Sequence, residues 1–148
     1  MTHQAFMGRI LAVDPGEKRL GIALSDPTAT IASPLMVIQH VSLASDVAAI
    51  LHLAAEHEVV RIVIGSPLDE EGQPTPQSRH SERLSEAIRS QTSLPVDLWD
   101  ESGSTQAARA ARIAMGVSRR KRSGHLDEIA ATVILQSFLD AHDKNDHA

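Results

Sequence analysis

The sequence contains no cysteine and no tyrosine, and its only aromatics are Phe6, Trp99 and Phe138. Without cysteine, disulfide bridges and thiolate metal sites are excluded. Three aromatics are too few for a protein that grips single strands by stacking successive bases on side-chain platforms. No apolar run approaches the ~18 residues needed to cross a bilayer. The opening MTHQAFMGRI has no basic segment running into an apolar stretch, so no secretory leader is expected. These absences together predict a cytoplasmic protein with no membrane partner.

What is present fits one folded unit. The chain has 148 residues, 42% of them hydrophobic and 22% charged, enough to bury a core. No repeat, low-complexity stretch or linker divides it, so a single domain over 1–148 is expected, with a frayed tail from about 143 to 148. The net charge of −5 argues at first against a polyanionic partner. The charge is unevenly spread, however. Between Gln106 and Arg122 lie Arg109, Arg112, Arg119, Arg120, Lys121 and Arg122 with no acid among them. That permits a local nucleic-acid footprint on an acidic protein.

Periodicity predicts the elements. Residues 9–13 (RILAV) read as a short buried strand closing on the turn Asp14-Pro15-Gly16. Residues 20–25 resume a strand after a loop longer than two residues, and 35–41 form a third strand after Ser33-Pro34. Apolar spacing at Val47, Ile50, Leu51 and Ala54 predicts a helix over 43–57. The β-branched run VVRIVIG (59–65) suits a parallel strand covered on both faces. A helix over 77–91, a strand over 95–99, an Ala/Arg helix over 104–115 and a final helix over 126–141 follow. The expected class is α/β: a mixed five-stranded sheet, three antiparallel strands and then two parallel ones, with helices on both faces.

Three acids stand at element ends. Asp14 follows the first strand, Asp100-Glu101 follow the last, and Asp127 lies in the first turn of the final helix. In this topology the strand ends converge, and clustered carboxylates repel unless a cation neutralises them. All-oxygen ligands favour Mg²⁺ or Mn²⁺ over zinc. Such a cluster suits a two-metal phosphodiester hydrolysis. Taken singly, an Asp after a strand is more often a turn former or a helix cap.

The segment ILAVDPGEKRLGIALSD resembles the opening motif of the YqgF/RuvX family, with Asp14, Gly16, Gly21, Ala23, Ser25 and Asp26 in place. Further likeness lies in IVIGSPLDEEGQ, in LPVDLWDESGST and in RRKRSGHLDEIAATVILQ, in the family's order from about residue 9 to 139. The resemblance implies an RNase H-like fold, nuclease activity, and a link to maturation of the 5′ end of the small-subunit rRNA precursor. The family was named earlier for Holliday-junction resolution, by similarity to RuvC resolvases. Carried over by position, the catalytic and metal-binding acids are Asp14, Glu101 and Asp127. One departure stands out: Ser102 occupies the place where the family carries Arg, leaving Arg109 or Arg112 as substitutes.

Around this set, Gly16 and Gly21 are expected to permit positive φ in the hairpin loop. Asp26 either caps a turn or lies beside the metal site, and Thr105 is read as a helix N-cap. Gly65-Ser66-Pro67 is either a backbone phosphate contact or an exit turn. The run Arg119–Arg122 is expected to touch phosphate, and Asp69-Glu70-Glu71 to face away from the cleft. The expected partner is structured RNA, with branched DNA as an alternative, for a monomer or weak homodimer. The rival functions are a DNA junction resolvase, which requires a dimer with two facing sites, and a weakly catalytic nucleic-acid-binding assembly factor.

Overall fold

A computed structural model describes residues 7–100 and 126–143, the side chains of 126–128 excepted. Strand β1 spans Arg9–Pro15, β2 Arg19–Ser25, β3 Ala32–Gln39, β4 Val59–Gly65 and β5 Val96–Trp99. Helix α1 spans Leu43–Glu56, α2 Pro76–Arg89 and α3 Leu126–His142. The five strands form one sheet in the order β3-β2-β1-β4-β5. The β1–β2 and β2–β3 pairs are antiparallel, and β1–β4 and β4–β5 are parallel. That is the mixed sheet expected from the sequence. The Ala/Arg helix over 104–115 and the tail 144–148 lie outside the described residues.

Strand alternation divides the core in two. Leu11 and Val13 of β1, with Leu20, Ile22 and Leu24 of β2, meet Val47, Ile50 and Leu53 of α1 and Leu84 and Ile88 of α2. Ile10, Ala12, Ala23 and Val63 face the other way, onto Ala131, Ile134, Leu135, Phe138 and Leu139 of α3. Helices therefore cover both faces.

Local signals set the helix starts. Ser42 caps α1, its side chain accepting from the Ser45 amide at 3.1 Å. Thr75 and Ser78 form a reciprocal capping box on α2, with Pro76 opening the helix. The limits of β1 and β3 differ most from the expected ones. β1 continues through Asp14 and Pro15, which pair with Gly21 and Leu20, so the turn begins only at Gly16. β3 starts at Ala32 rather than 35 and ends before Val41. It lies at the edge of the sheet, where the missing N–H of Pro34 is tolerated.

Candidate active site

Asp14 is the penultimate residue of β1, at the carboxyl end of the strand in the middle of the sheet. By alternation with Ile10 and Ala12 it belongs to the face covered by α3. Directly opposite on β2 stands Gly21, which has no side chain to fill the space beside the carboxylate. Asp14 is half-buried.

The turn after Asp14 is tight. Gly16 N–H donates to the Arg19 carbonyl at 2.9 Å, and a Cβ built on Gly16 would stand 2.5 Å from that oxygen. Glycine is required here for close approach and not, as expected, for positive φ. Among the described residues the positive-φ glycines are Gly8 and Gly72, so neither Gly16 nor Gly21 takes that conformation. The Gln77 amide of α2 donates to the Pro15 carbonyl, tying that helix to the same turn.

The neighbouring parallel strands end at the same edge. Gly65 pairs with Trp99, and Ser66 N–H donates to the Trp99 carbonyl at 2.8 Å. The exit of β4 is thus occupied by backbone hydrogen bonding to β5, and Ser81 Oγ donates to the Gly65 carbonyl at 2.7 Å. Trp99 anchors the end of β5: its indole N–H donates to Ser137 Oγ at 3.1 Å and its ring meets Phe138 edge-on at 5.3 Å. Asp100 follows, exposed. Asp127 stands in the first turn of α3. Glu101, Thr105, Arg109, Arg112, Arg119, Arg120, Lys121 and Arg122 lie outside the described residues. Among the described residues no three His, Asp or Glu side chains form a metal-holding group.

Asp26 is displaced from this edge. It follows β2 at the opposite end of the sheet, where Leu24 pairs with Leu11 and Ser25 Oγ accepts from Ile10 N–H at 2.8 Å. It lies five positions along the chain from Gly21, about 17 Å at the usual strand rise. Its carboxylate accepts from the amides of Thr28, Thr30 and Ile31, at 3.2, 2.8 and 2.8 Å, and from the Thr28 hydroxyl. Desolvation pushes its pKa upward, but these donors outweigh it and hold the carboxyl well below the usual range. Of its two sequence readings, the turn is the one the geometry supports, and the distance sets it apart from Asp14.

Sequence reasoning missed a second polar cluster on the α1/α2 face. Asp46 is 1% exposed and its Oδ2 stands 2.6 Å from Nδ1 of His40. His80 lies edge-on to His40 with ring centroids 6.3 Å apart. A charged residue interrupting the apolar spacing of α1 was the available signal.

Comparison with known proteins places this arrangement. The family model RuvX, described as Holliday junction resolvase, matches residues 8–141. A relative from Myxococcus xanthus, provisionally named a pre-16S rRNA nuclease, is 37% identical over 134 residues, covering 90% of this chain and 89% of its own. One of the same name from Symbiobacterium thermophilum is 40% identical over 133 residues, covering 90% and 92%. Among solved structures, Thermus thermophilus RuvC in complex with a Holliday junction substrate shares the fold, with a TM-score of 0.57 at 15% identity, over 90% of this chain and 95% of that one. The sheet order, the carboxylate at the end of its middle strand and a match over almost the whole chain agree: this protein belongs to the RuvX family.

Proposed function

We propose that the chain is a divalent-metal-dependent nuclease acting on structured RNA, in the maturation of the 5′ end of the small-subunit rRNA precursor. The nuclease class, hydrolysis of nucleic-acid ester bonds, follows from family membership. The substrate rests on the names of the relatives. The metal rests on one observation: Asp14 stands next to last in the middle strand, opposite a residue without a side chain, on the face that α3 covers.

The residues proposed to hold Mg²⁺ or Mn²⁺ are Asp14, Glu101 and Asp127. The set is all carboxylate, which suits a hard cation. When bound, such ions polarise the phosphodiester and make water a stronger nucleophile at neutral pH. The chain's own part is to present the acids. Asp14 is fixed by the β1–β2 ladder and a tight turn, with the β1–β4 ladder reaching its neighbour Val13, and β5 is pinned at Trp99 just before Asp100 and Glu101. Arg109, Arg112 and the run Arg119–Arg122 supply phosphate contacts in this reading. We further propose one domain over 1–148, a cytoplasmic location and action as a monomer or weak homodimer. No helix among the described residues is long and apolar enough to cross a membrane.

Incubating the purified protein with labelled rRNA precursor and with four-way DNA junctions, with and without Mg²⁺ or Mn²⁺, tests the reading. Metal-dependent cutting of the RNA is expected. Cutting of the junction alone would make the chain a resolvase. No cutting of either would leave a binding factor.

A further inference from the structure

On the face of the sheet opposite Asp14, a cavity of about 520 Å³ is lined by Glu17, His40, Gln77, His80 and Arg83 among others. Behind it lies Asp46, a carboxylate in the first turn of α1 and almost wholly buried. Burial of a carboxylate is unfavourable unless it is paired. Its Oδ2 is paired with Nδ1 of His40, whereas Oδ1 has no hydrogen-bond partner among the described residues. His80 stands edge-on to His40, at 81°.

The pair locks a residue that touches the turn after Asp14. His40 N–H donates to the Lys18 carbonyl at 2.9 Å, extending the β2–β3 ladder into that turn. Gln77 holds the other side through the Pro15 carbonyl. Proline has no N–H, so the backbone just beyond Asp14 gains no ladder donor from residue 15. The turn therefore depends on Gly16–Arg19 closure, on Gln77 and on His40. Asp46 fixes the imidazole, and the imidazole's backbone fixes Lys18.

We propose that His40, locked by Asp46, is a positioning residue for the metal site, holding from the far side of the sheet the turn that sets the Asp14 carboxylate. This rests on the nuclease reading given above. The role differs from that of a catalytic residue, because His40 and Asp14 belong to opposite faces. It also differs from plain stabilisation, because the turn is local and Asp14 is adjacent to it.

The test compares His40→Ala, His40→Asn, which keeps an amide donor near the place of Nδ1, and Gln77→Ala, which cuts the second hold. Mn²⁺ affinity is measured by calorimetry and thermal stability in the absence of metal. Orienting contacts around metal ligands are typically worth 10–100-fold in affinity, so His40→Ala should weaken Mn²⁺ binding ~10-fold, with Gln77→Ala in the same direction. His40→Asn should stay within about twofold of wild type, because the bond to Asp46 is preserved. Wild-type Mn²⁺ affinity in folded His40→Ala would overturn the proposal. If His40→Ala does not fold, wild-type affinity in Gln77→Ala overturns it equally. A selective loss supports it whether or not RNA is cut, so the positioning role and the nuclease reading fail separately.

Discussion

Asp14 and Gly21 oppose each other across β1 and β2, so the proposed metal ligand has a bare backbone as its cross-strand neighbour. Opposed residues in an antiparallel pair have Cβ atoms about 4.5–5.5 Å apart. A side chain at 21 would project beside the Asp14 carboxylate, where the proposed cation would be held. Wild type should gain thermal stability with Mn²⁺ by mass action. Asp14→Asn should lose most of that gain and Gly21→Ala part of it, as read by melting curves with and without metal. Identical gains in all three proteins would remove Asp14 from the metal site.

The basic run offers an electrostatic prediction. Replacing Arg119, Arg120, Lys121 and Arg122 together with Ala should weaken RNA binding and flatten its salt dependence. For every phosphate that is no longer neutralised, the log–log slope should fall by ~0.7–0.9. An unchanged slope, measured from 50 to 300 mM salt (roughly the range in which such slopes are read), would mean that the run does not touch phosphate.

Acid should loosen the α1/α2 corner. Burial, Arg83 and His40 lower the pKa of His80 from its ordinary 6.5, with Asp46 opposing them. The folded state then binds fewer protons at this residue than the unfolded state does. Its contribution is present above 6.5 and is lost as pH falls below 6.5 towards the lowered folded value. Denaturant midpoints should decline between pH 7.5 and pH 5, roughly the span of histidine titration. His80→Gln should decline less; a parallel decline would assign the effect to other groups.

Trp99, the only tryptophan, reports on the packing of β5 against α3. Phe138→Ala should destabilise the fold by about 3–5 kcal/mol, since a fully buried ring is removed. Ser137→Ala should cost about 1 kcal/mol by depriving the indole of its acceptor and shift Trp99 emission without changing the fold. Emission unchanged in Ser137→Ala would deny that hydrogen bond in solution.

The sheet was legible because each strand carries its own pattern. Val59–Gly65 is apolar apart from Arg61 and bounded by a helix and a proline loop, and its limits coincide with the expected ones. The end of β1 was less legible, because Asp14-Pro15-Gly16 reads locally as a turn and only pairing with Leu20 and Gly21 draws two of the three into the ladder. The same holds for Gly16, whose need for a missing side chain comes from the Arg19 carbonyl and not from its own φ. Asp14 itself was legible by position. Asp46 was legible only as a break in the apolar spacing of α1, because the partner that makes a buried carboxylate tolerable, His40, stands in the loop after β3 and no spacing rule connects the two.

The outer strand carries a further consequence. β3 is an edge strand whose register shifts between Ile22 and Ala23, where consecutive β2 residues face Met36 and then Pro34. A proline and a bulge within one short strand spoil it as a template for a foreign strand. Met36 and Ile31 are nonetheless exposed at this margin, where an unbroken edge would invite stacking of molecule on molecule. The irregularity of β3 should therefore show in colloidal behaviour: Pro34→Val, which restores an N–H and a β-former, should self-associate more readily than wild type as the protein is concentrated.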